Sequence, residues 1–202
     1  NYGYHTAIYL GDNQIVHAAD ESLGIIVSDN AEKVLDECKA DVAIITTRSF
    51  IGDIYEAIEQ CVSRGINVIT SAEEMSYPKA QNPELAEELD KIAKENGVSL
   101  LGTGINPGLI MDLLVLIWTG CMQDVEHIVS RRVNSLSPFG PAVMSEQGIG
   151  ITKEEFYLRK EGKGSGHLSG HVGFAESIGM IADGIGWEID KFTQDMEPIV
   201  TD

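Results

Sequence analysis

Positive charge is scarce in this sequence. Lysine and arginine number 14 against 32 aspartates and glutamates, a formal net charge of −18 over 202 residues. So acidic a chain offers no cationic surface for nucleic acid or an anionic membrane, and neither is expected as a partner. Cysteine is sparse as well. Cys38, Cys61 and Cys121 are odd in number and far apart, with no C-x-x-C and no Cys/His ligand spacing. That usage reads as reduced thiols in a cytoplasmic protein without a metal site. Long apolar runs are missing too: the stretch 109–118 is too short to cross a bilayer and contains Asp112. There is no signal peptide and no initiator methionine, and a fragment of a longer protein is expected.

What the chain does have is alternation. Residues 5–18 place two apolar runs about Gly11-Asp12-Asn13, the pattern of a β-hairpin. From Leu23 onward strands and helices take turns. Strands are predicted over 24–27, 41–46, 66–70 and 98–101. Helices are predicted over 31–39, capped by Ser28 or Asp29, over 51–64, ended by Gly65, and over 83–96, opened by Pro83 and followed by Gly97. The near-continuous apolar runs at 41–46 and 66–70 suit parallel strands buried on both faces. Repeated β-α-β units with short links give a doubly wound parallel sheet. Beyond Cys121 the texture changes. A strand over 125–133, loops or mixed structure rich in Gly, Ser and Pro over 134–170, a helix starting near Phe174 and a strand over 189–196 predict an α+β region.

The stretch Gly102-Thr-Gly-Ile-Asn-Pro-Gly-Leu-Ile-Met-Asp112 lies between strand and helix, with an apolar helix predicted over 109–118. Its glycines permit positive φ or a close backbone approach to a ligand, and Pro107 suits a first helical turn. The spacing is G-x-G-x-x-x-G rather than the dinucleotide fingerprint G-x-G-x-x-G, and it lies deep in the chain. Ligands of open parallel sheets sit beyond the carboxyl ends of the strands. Three such ends carry polar groups here: Thr46-Thr47-Arg48-Ser49, Thr70-Ser71-Ala72-Glu73-Glu74, and Gly102-Thr103-Gly104-Ile105-Asn106. Further along, Arg131-Arg132 could hold a carboxylate. His171 could move a proton or cap the next helix. Glu176 could bind an ammonium group or complement a helix dipole. Asp112 is either an interior polar site or the wet face of its helix.

Two resemblances follow. The hairpin over 5–18 resembles the one that carries the catalytic histidine of papain-like cell-wall peptidases, at His5. That chemistry needs a cysteine nucleophile, and no cysteine precedes His5. The other is specific. Thr47-Arg-Ser-Phe50, Asn67-Val-Ile-Thr-Ser-Ala-Glu-Glu-Met-Ser-Tyr-Pro78, Ala80-Gln-Asn-Pro-Glu-Leu85, Leu101-Gly-Thr-Gly-Ile-Asn-Pro-Gly-Leu-Ile-Met-Asp112, Ser137-Pro-Phe-Gly-Pro141 and Gly170-His-Val-Gly-Phe-Ala-Glu-Ser177 resemble the 2,4-diaminopentanoate dehydrogenase family. That family is one of the dihydrodipicolinate-reductase-like dehydrogenases, and the resemblance runs from about Leu23 to the end.

The resemblance implies oxidative deamination of 2,4-diaminopentanoate to 2-amino-4-oxopentanoate and ammonia with NAD or NADP, in ornithine fermentation. It implies an α/β fold in which 1–22 is a non-matching hairpin-like segment. Residues 23–122 would form an incomplete doubly wound, Rossmann-like dinucleotide-binding domain, and 123–202 part of an α+β substrate and oligomerisation domain. It places Thr46, Thr47, Ser49, Glu73, Gly104, Asn106 and Pro107 at the cofactor. Asn106, Gly108, Arg131 and His171 fall at the substrate, and His171, Glu74 and Glu176 among the catalytic groups. His171 and a glutamate both remain open as the general base. The family's opening strand and glycine-rich pyrophosphate turn are not found, so cofactor binding by these residues alone is in doubt. A small amino-acid substrate and a homo-oligomer are the expected partners. The alternatives are another amino-acid dehydrogenase or reductase of the same superfamily, and a non-catalytic α/β interaction module.

Overall fold

The structure is a computed structural model and describes residues 6–11, 14–18, 25–28, 30–37, 40–138, 140–166 and 168–200. His5, on which the peptidase resemblance falls, lies outside the described residues. Thr6–Gly11 (β1) and Gln14–Ala18 (β2) form the expected antiparallel hairpin, and Ile25–Ser28 (β3) adds antiparallel to β2. The strand expected in the parallel series at 24–27 is thus an antiparallel edge, because the link 19–24 is too short for a parallel crossover. On its other side β1 pairs in parallel with Val42–Ile45 (β4). That strand is followed in parallel by Asn67–Thr70 (β5) and Leu100–Gly102 (β6). One six-stranded sheet results, in the order β3-β2-β1-β4-β5-β6.

Ala31–Glu37 (α1) is capped by Asn30, whose Oδ1 accepts the Lys33 N–H at 2.8 Å; Asp29, one of the two expected caps, lies outside the described residues. Ile51–Val62 (α2) and Pro83–Glu95 (α3) link the parallel strands. The strands advance in one direction, so right-handed crossovers put both helices on the same face. There Ile54, Ile58 and Val62 of α2 and Leu89 of α3 meet Ala43, Ile45 and Val68 of the sheet, with Val34 and Leu35 of α1 in the same core. Both long helices end where a left-handed glycine turns the chain. Gly65 (φ 74°) lets the Ile66 N–H reach Cys61 O, and Gly97 (φ 66°) lets the Val98 N–H reach Ala93 O.

Two short 3-10 turns, Glu73–Ser76 and Pro78–Ala80, follow β5. After β6 come Leu113–Thr119 (α4), Pro141–Glu146 (α5), Lys153–Lys160 (α6) and Phe174–Ile185 (α7). The strands predicted over 125–133 and 189–196 do not form. Among the described residues every strand belongs to the one sheet, and an apolar run without a neighbour to pair with has no ladder to close. Helix α7 docks through small residues. A Cβ at Gly173 would come within 2.4 Å of Pro107, one at Gly179 within 3.1 Å of Tyr77, and one at Gly184 within 2.6 Å of Leu116. The Tyr77 hydroxyl also donates to Asp183 Oδ2 at 2.5 Å, and burial together with that carboxylate pushes its pKa up to about 12. Among the described residues no helix is long and apolar enough to cross a membrane.

Two glycines should respond to alanine with opposite signs. A Cβ at Gly102 would lie 1.8 Å from the Met75 carbonyl oxygen, whereas one at Gly52, exposed in α2, meets nothing within 4 Å. Urea unfolding should show Gly102→Ala destabilised by at least about 3 kcal/mol. Gly52→Ala should be stabilised by up to about 1 kcal/mol. Equal effects at the two positions would contradict the packing described.

Candidate active site

The parallel register aligns Ile45, Thr70 and Gly102, so the chain leaves three neighbouring strands at one level. Backbone bonds continue past the sheet: the Ser71 N–H donates to Ile45 O, and the Thr103 N–H to Thr70 O. Thr46 is exposed, while Thr47 and Ser49 are half-buried along this edge. Thr70 is fully buried, and its hydroxyl accepts the Ala72 N–H at 3.1 Å, turning the chain into the segment with Glu73 and Glu74.

The two adjacent glutamates have different environments. Glu74 is buried, and its Oε2 accepts the Ile51 N–H at 2.8 Å and the Asn82 amide at 3.1 Å. Its carboxylate therefore sits at the start of α2, satisfying an N–H that no residue of the helix can take. Glu73 is half-buried and faces His171, whose imidazolium its charge favours.

The glycine loop is shaped by protein rather than by ligand. Gly102 passes the Met75 carbonyl, a Cβ at Gly104 would lie 2.7 Å from Pro107 O, and one at Gly108 (φ 121°) would lie 2.4 Å from Gly104 N. The helix predicted from 109 begins four residues later, at Leu113, because Asp112 caps it. Pro107 is not in that helix's first turn but in the loop, behind a cis peptide bond with Asn106. Two N–H groups of this stretch are taken by one side chain: Asp112 Oδ1 accepts from Leu113 at 2.6 Å and its Oδ2 from Gly108 at 2.7 Å. Asp112 is wholly buried, which settles it as an interior polar group.

The C-terminal part closes on this loop. Asn106 Nδ2 lies 3.3 Å from His171 Nε2 and 3.3 Å from Met111 Sδ. An amide N–H donates, so Nε2 accepts and the ring is neutral in this arrangement. The ring also packs edge-on against Phe174, with centroids 4.5 Å apart. Burial lowers the His171 pKa below its ordinary 6.5 and the Arg132 guanidinium lowers it further, with Glu73 opposing. Arg131 itself is exposed; the cation acting on His171 is its neighbour. One turn into α7, Glu176 is fully buried and its Oε1 accepts the Gln81 amide at 2.7 Å. Its Oε2 and Asn106 Oδ1 are buried without a hydrogen-bond partner among the described residues.

The structure thus brings Asn106 against His171, Pro107 against Gly173 at the start of the helix that carries Glu176, and Glu73 within electrostatic reach of His171, while Glu74 is held by Ile51 and Asn82. Reading the sequence missed Gln81 and Ser177; it named the pair Arg131-Arg132 but carried only Arg131 to the substrate. Gln81 and Ser177 lie inside motifs quoted for the family, but nothing in their spacing marks them as partners of Glu176 and Asp112. Among the described residues no cluster of three His, Cys, Asp or Glu could hold a metal ion.

Replacing Glu74 by glutamine tests its placement. An amide oxygen can take both donors as Oε2 does but brings no negative charge to the start of α2, so Glu74→Gln should lose about 1 kcal/mol in thermal or urea unfolding. A variant with unchanged stability would show that the carboxylate is not committed to α2.

Comparisons with known proteins bear on the family and the fold. Residues 109–202 match the family model described as the 2,4-diaminopentanoate dehydrogenase C-terminal domain. The 2,4-diaminopentanoate dehydrogenase of Acetoanaerobium sticklandii is 64% identical over 172 residues, covering 85% of this chain and 48% of that protein. The structure of an amine dehydrogenase from Mycobacterium smegmatis is similar with a TM-score of 0.61 at 26% identity, over 81% of this chain and 47% of that one. The chain spans about half the length of these relatives. It is an α/β relative of 2,4-diaminopentanoate dehydrogenase, and residues 109–202 belong to that enzyme's C-terminal domain family.

Proposed function

We propose that the protein carrying this chain is an NAD- or NADP-dependent amine dehydrogenase that converts 2,4-diaminopentanoate and water to 2-amino-4-oxopentanoate and ammonia, as in ornithine breakdown. The observation that carries the reading is a neutral histidine against Asn106, whose Oδ1, like Glu176 Oε2 in the first turn of α7, is buried without a hydrogen-bond partner among the described residues. Orphaned buried acceptors are costly unless a donor arrives, and a diamino acid brings ammonium N–H groups. The residues present fit the nicotinamide end of a cofactor. Asn106 Oδ1 could accept from a carboxamide, and Thr46, Thr47 and Ser49 line the strand edge beside it with Gly104 and Pro107 in the loop. When bound, NAD or NADP supplies the hydride acceptor.

The chain's own residues manage protons and position. Hydride leaves carbon only when the attached nitrogen is neutral, so a base must first take an ammonium proton. His171 Nε2 is neutral and serves as that base, and Glu73 stabilises the charge it gains. His171 gives that proton to solvent before it takes one from the water that attacks the iminium carbon; it then returns this proton to the amine nitrogen, and ammonia leaves as the carbinol hydroxyl loses its proton to form the ketone. Arg132, with Arg131 beside it, is the cation available to the substrate carboxylate. Glu176, oriented by Gln81, holds the second ammonium with Asn106. The 2,4-diamino acid is favoured over other amino acids because the junction offers acceptors for two amines and a cation for one carboxylate.

The test is an assay of the full-length gene product with 2,4-diaminopentanoate and either NAD or NADP, read by absorbance of the reduced nicotinamide, with this chain alone beside it. Aspartate and homoserine serve as competing substrates. Oxidation of 2,4-diaminopentanoate in preference to both is expected. Preference for another amino acid would replace the substrate. No turnover, with no nucleotide binding and a stable protein partner, would favour an interaction module.

The pH profile identifies the base. With its pKa lowered, His171 stays unprotonated at neutral pH, and kcat/KM should fall only below about 6.5. His171→Gln should lose most activity and that acidic limb together. Retention of the limb in the variant would assign the proton to a carboxylate.

A further inference from the structure

We propose that Asp112 and Ser177 form a buried clamp that positions the glycine loop against α7, so that Asp112 is a positioning residue for the chemistry at Asn106, His171 and Glu176. This rests on the function proposed above, but the clamp can be read without turnover. Asp112 is wholly buried and holds three donors from two parts of the chain. Leu113 N–H meets Oδ1 at 2.6 Å, while Gly108 N–H at 2.7 Å and the Ser177 hydroxyl at 2.8 Å meet Oδ2. Two of these bonds fix the loop: one holds the residue after Pro107, the other the first N–H of α4. The third reaches sixty-five residues along the sequence to the residue after Glu176.

The consequence is geometric. Asn106 lies two residues before the clamped Gly108, and Glu176 is adjacent to the clamped Ser177. Pro107, between them in the loop, sits against Gly173, so close that a Cβ there would lie 2.4 Å from its ring. The Asn106–His171 contact and the orphaned oxygens of Asn106 and Glu176 therefore share one support. No acidic group other than a carboxylate could accept all three bonds, since backbone N–H groups cannot reverse and an amide offers one oxygen. Positioning at this tolerance matters, because small misplacement of a reacting pair costs large factors in rate.

Ser177→Ala removes the bond between the two halves and leaves both loop bonds in place. Asp112→Asn removes at least one backbone bond. In the full-length enzyme, Ser177→Ala should remain folded, with kcat lowered roughly tenfold, KM for the amine raised and KM for the nucleotide unchanged. A core control, Ile58→Val, chosen for a comparable fall in melting temperature, should keep kcat. The readout independent of turnover is the His171 imidazole titration by NMR, assigned with His171→Gln. Glu73 and Arg132 are the charged groups facing that ring. Loosening the loop wets the ring, so its pKa should rise toward 6.5 in Ser177→Ala. An unchanged titration in folded Ser177→Ala overturns the clamp whether or not the enzyme oxidises amines. So does a loss of kcat no larger than in Ile58→Val. Should Asp112→Asn fail to fold, Ser177→Ala carries the decision alone.

Discussion

The molecule turns on one close approach, the passage of Gly102 against the backbone of Met75. A side chain there would overlap a carbonyl oxygen at 1.8 Å, so only glycine lets the end of β6 lie beneath the turn that follows β5. Everything at the candidate site is stacked on that contact. The turn carries Glu73, Tyr77 and Gln81, and the loop beyond Gly102 carries Asn106 and Pro107. Helix α7 then packs on both, with Gly173 against Pro107 and Gly179 against Tyr77. Glycine here serves the approach of protein to protein, which is a different use from a cradle for phosphate.

Polar links between distant residues tie this stack together alongside its apolar contacts. The sheet and helices α1 to α3 share a dry core of Ile, Val, Leu and Ala. The junction with α7 is wired differently: Asp112 to Ser177, Glu176 to Gln81, and Asp183 to Tyr77. Each link joins residues far apart in sequence, and loss of a partner costs most at Asp112 and Glu176, which are buried and would be left unpaired. Such wiring specifies one relative placement of loop and helix. It also leaves two acceptor oxygens, at Asn106 and Glu176, buried without a hydrogen-bond partner among the described residues.

The division of labour between Glu73 and Glu74 follows from a half-turn of backbone. Both follow Thr70, whose buried hydroxyl bends the chain through Ala72. One carboxylate turns back to the N-terminus of α2, and its neighbour turns toward His171. Opposing influences act on the histidine: burial and Arg132 lower its pKa, and Glu73 raises it.

Periodicity sufficed for the strands and helices between Ile25 and Gly102, since a buried face imposes a spacing on its own segment. Gly65, Gly97 and Pro83 marked ends and starts because their backbone limits are intrinsic. The motifs likewise brought Asn106, His171 and Glu176 into view and pointed to the enzyme family. Spacing could not show that Ile25–Ser28 turns antiparallel, that Asp112 delays its helix to Leu113, or that the runs near 125 and 189 stay unpaired. Those outcomes depend on link length, on a side chain folding back, and on the presence of a neighbouring strand. Nor could it choose Glu73 over Glu74 or Arg132 over Arg131 as the group facing His171, because neighbours in sequence differ only in the direction that tertiary packing gives them. The sequence by itself determined which segments could form elements and which residue types could do chemistry. Hydrogen bonds and contacts between distant residues decided which of those groups meet, and such pairings leave no periodic trace in the chain.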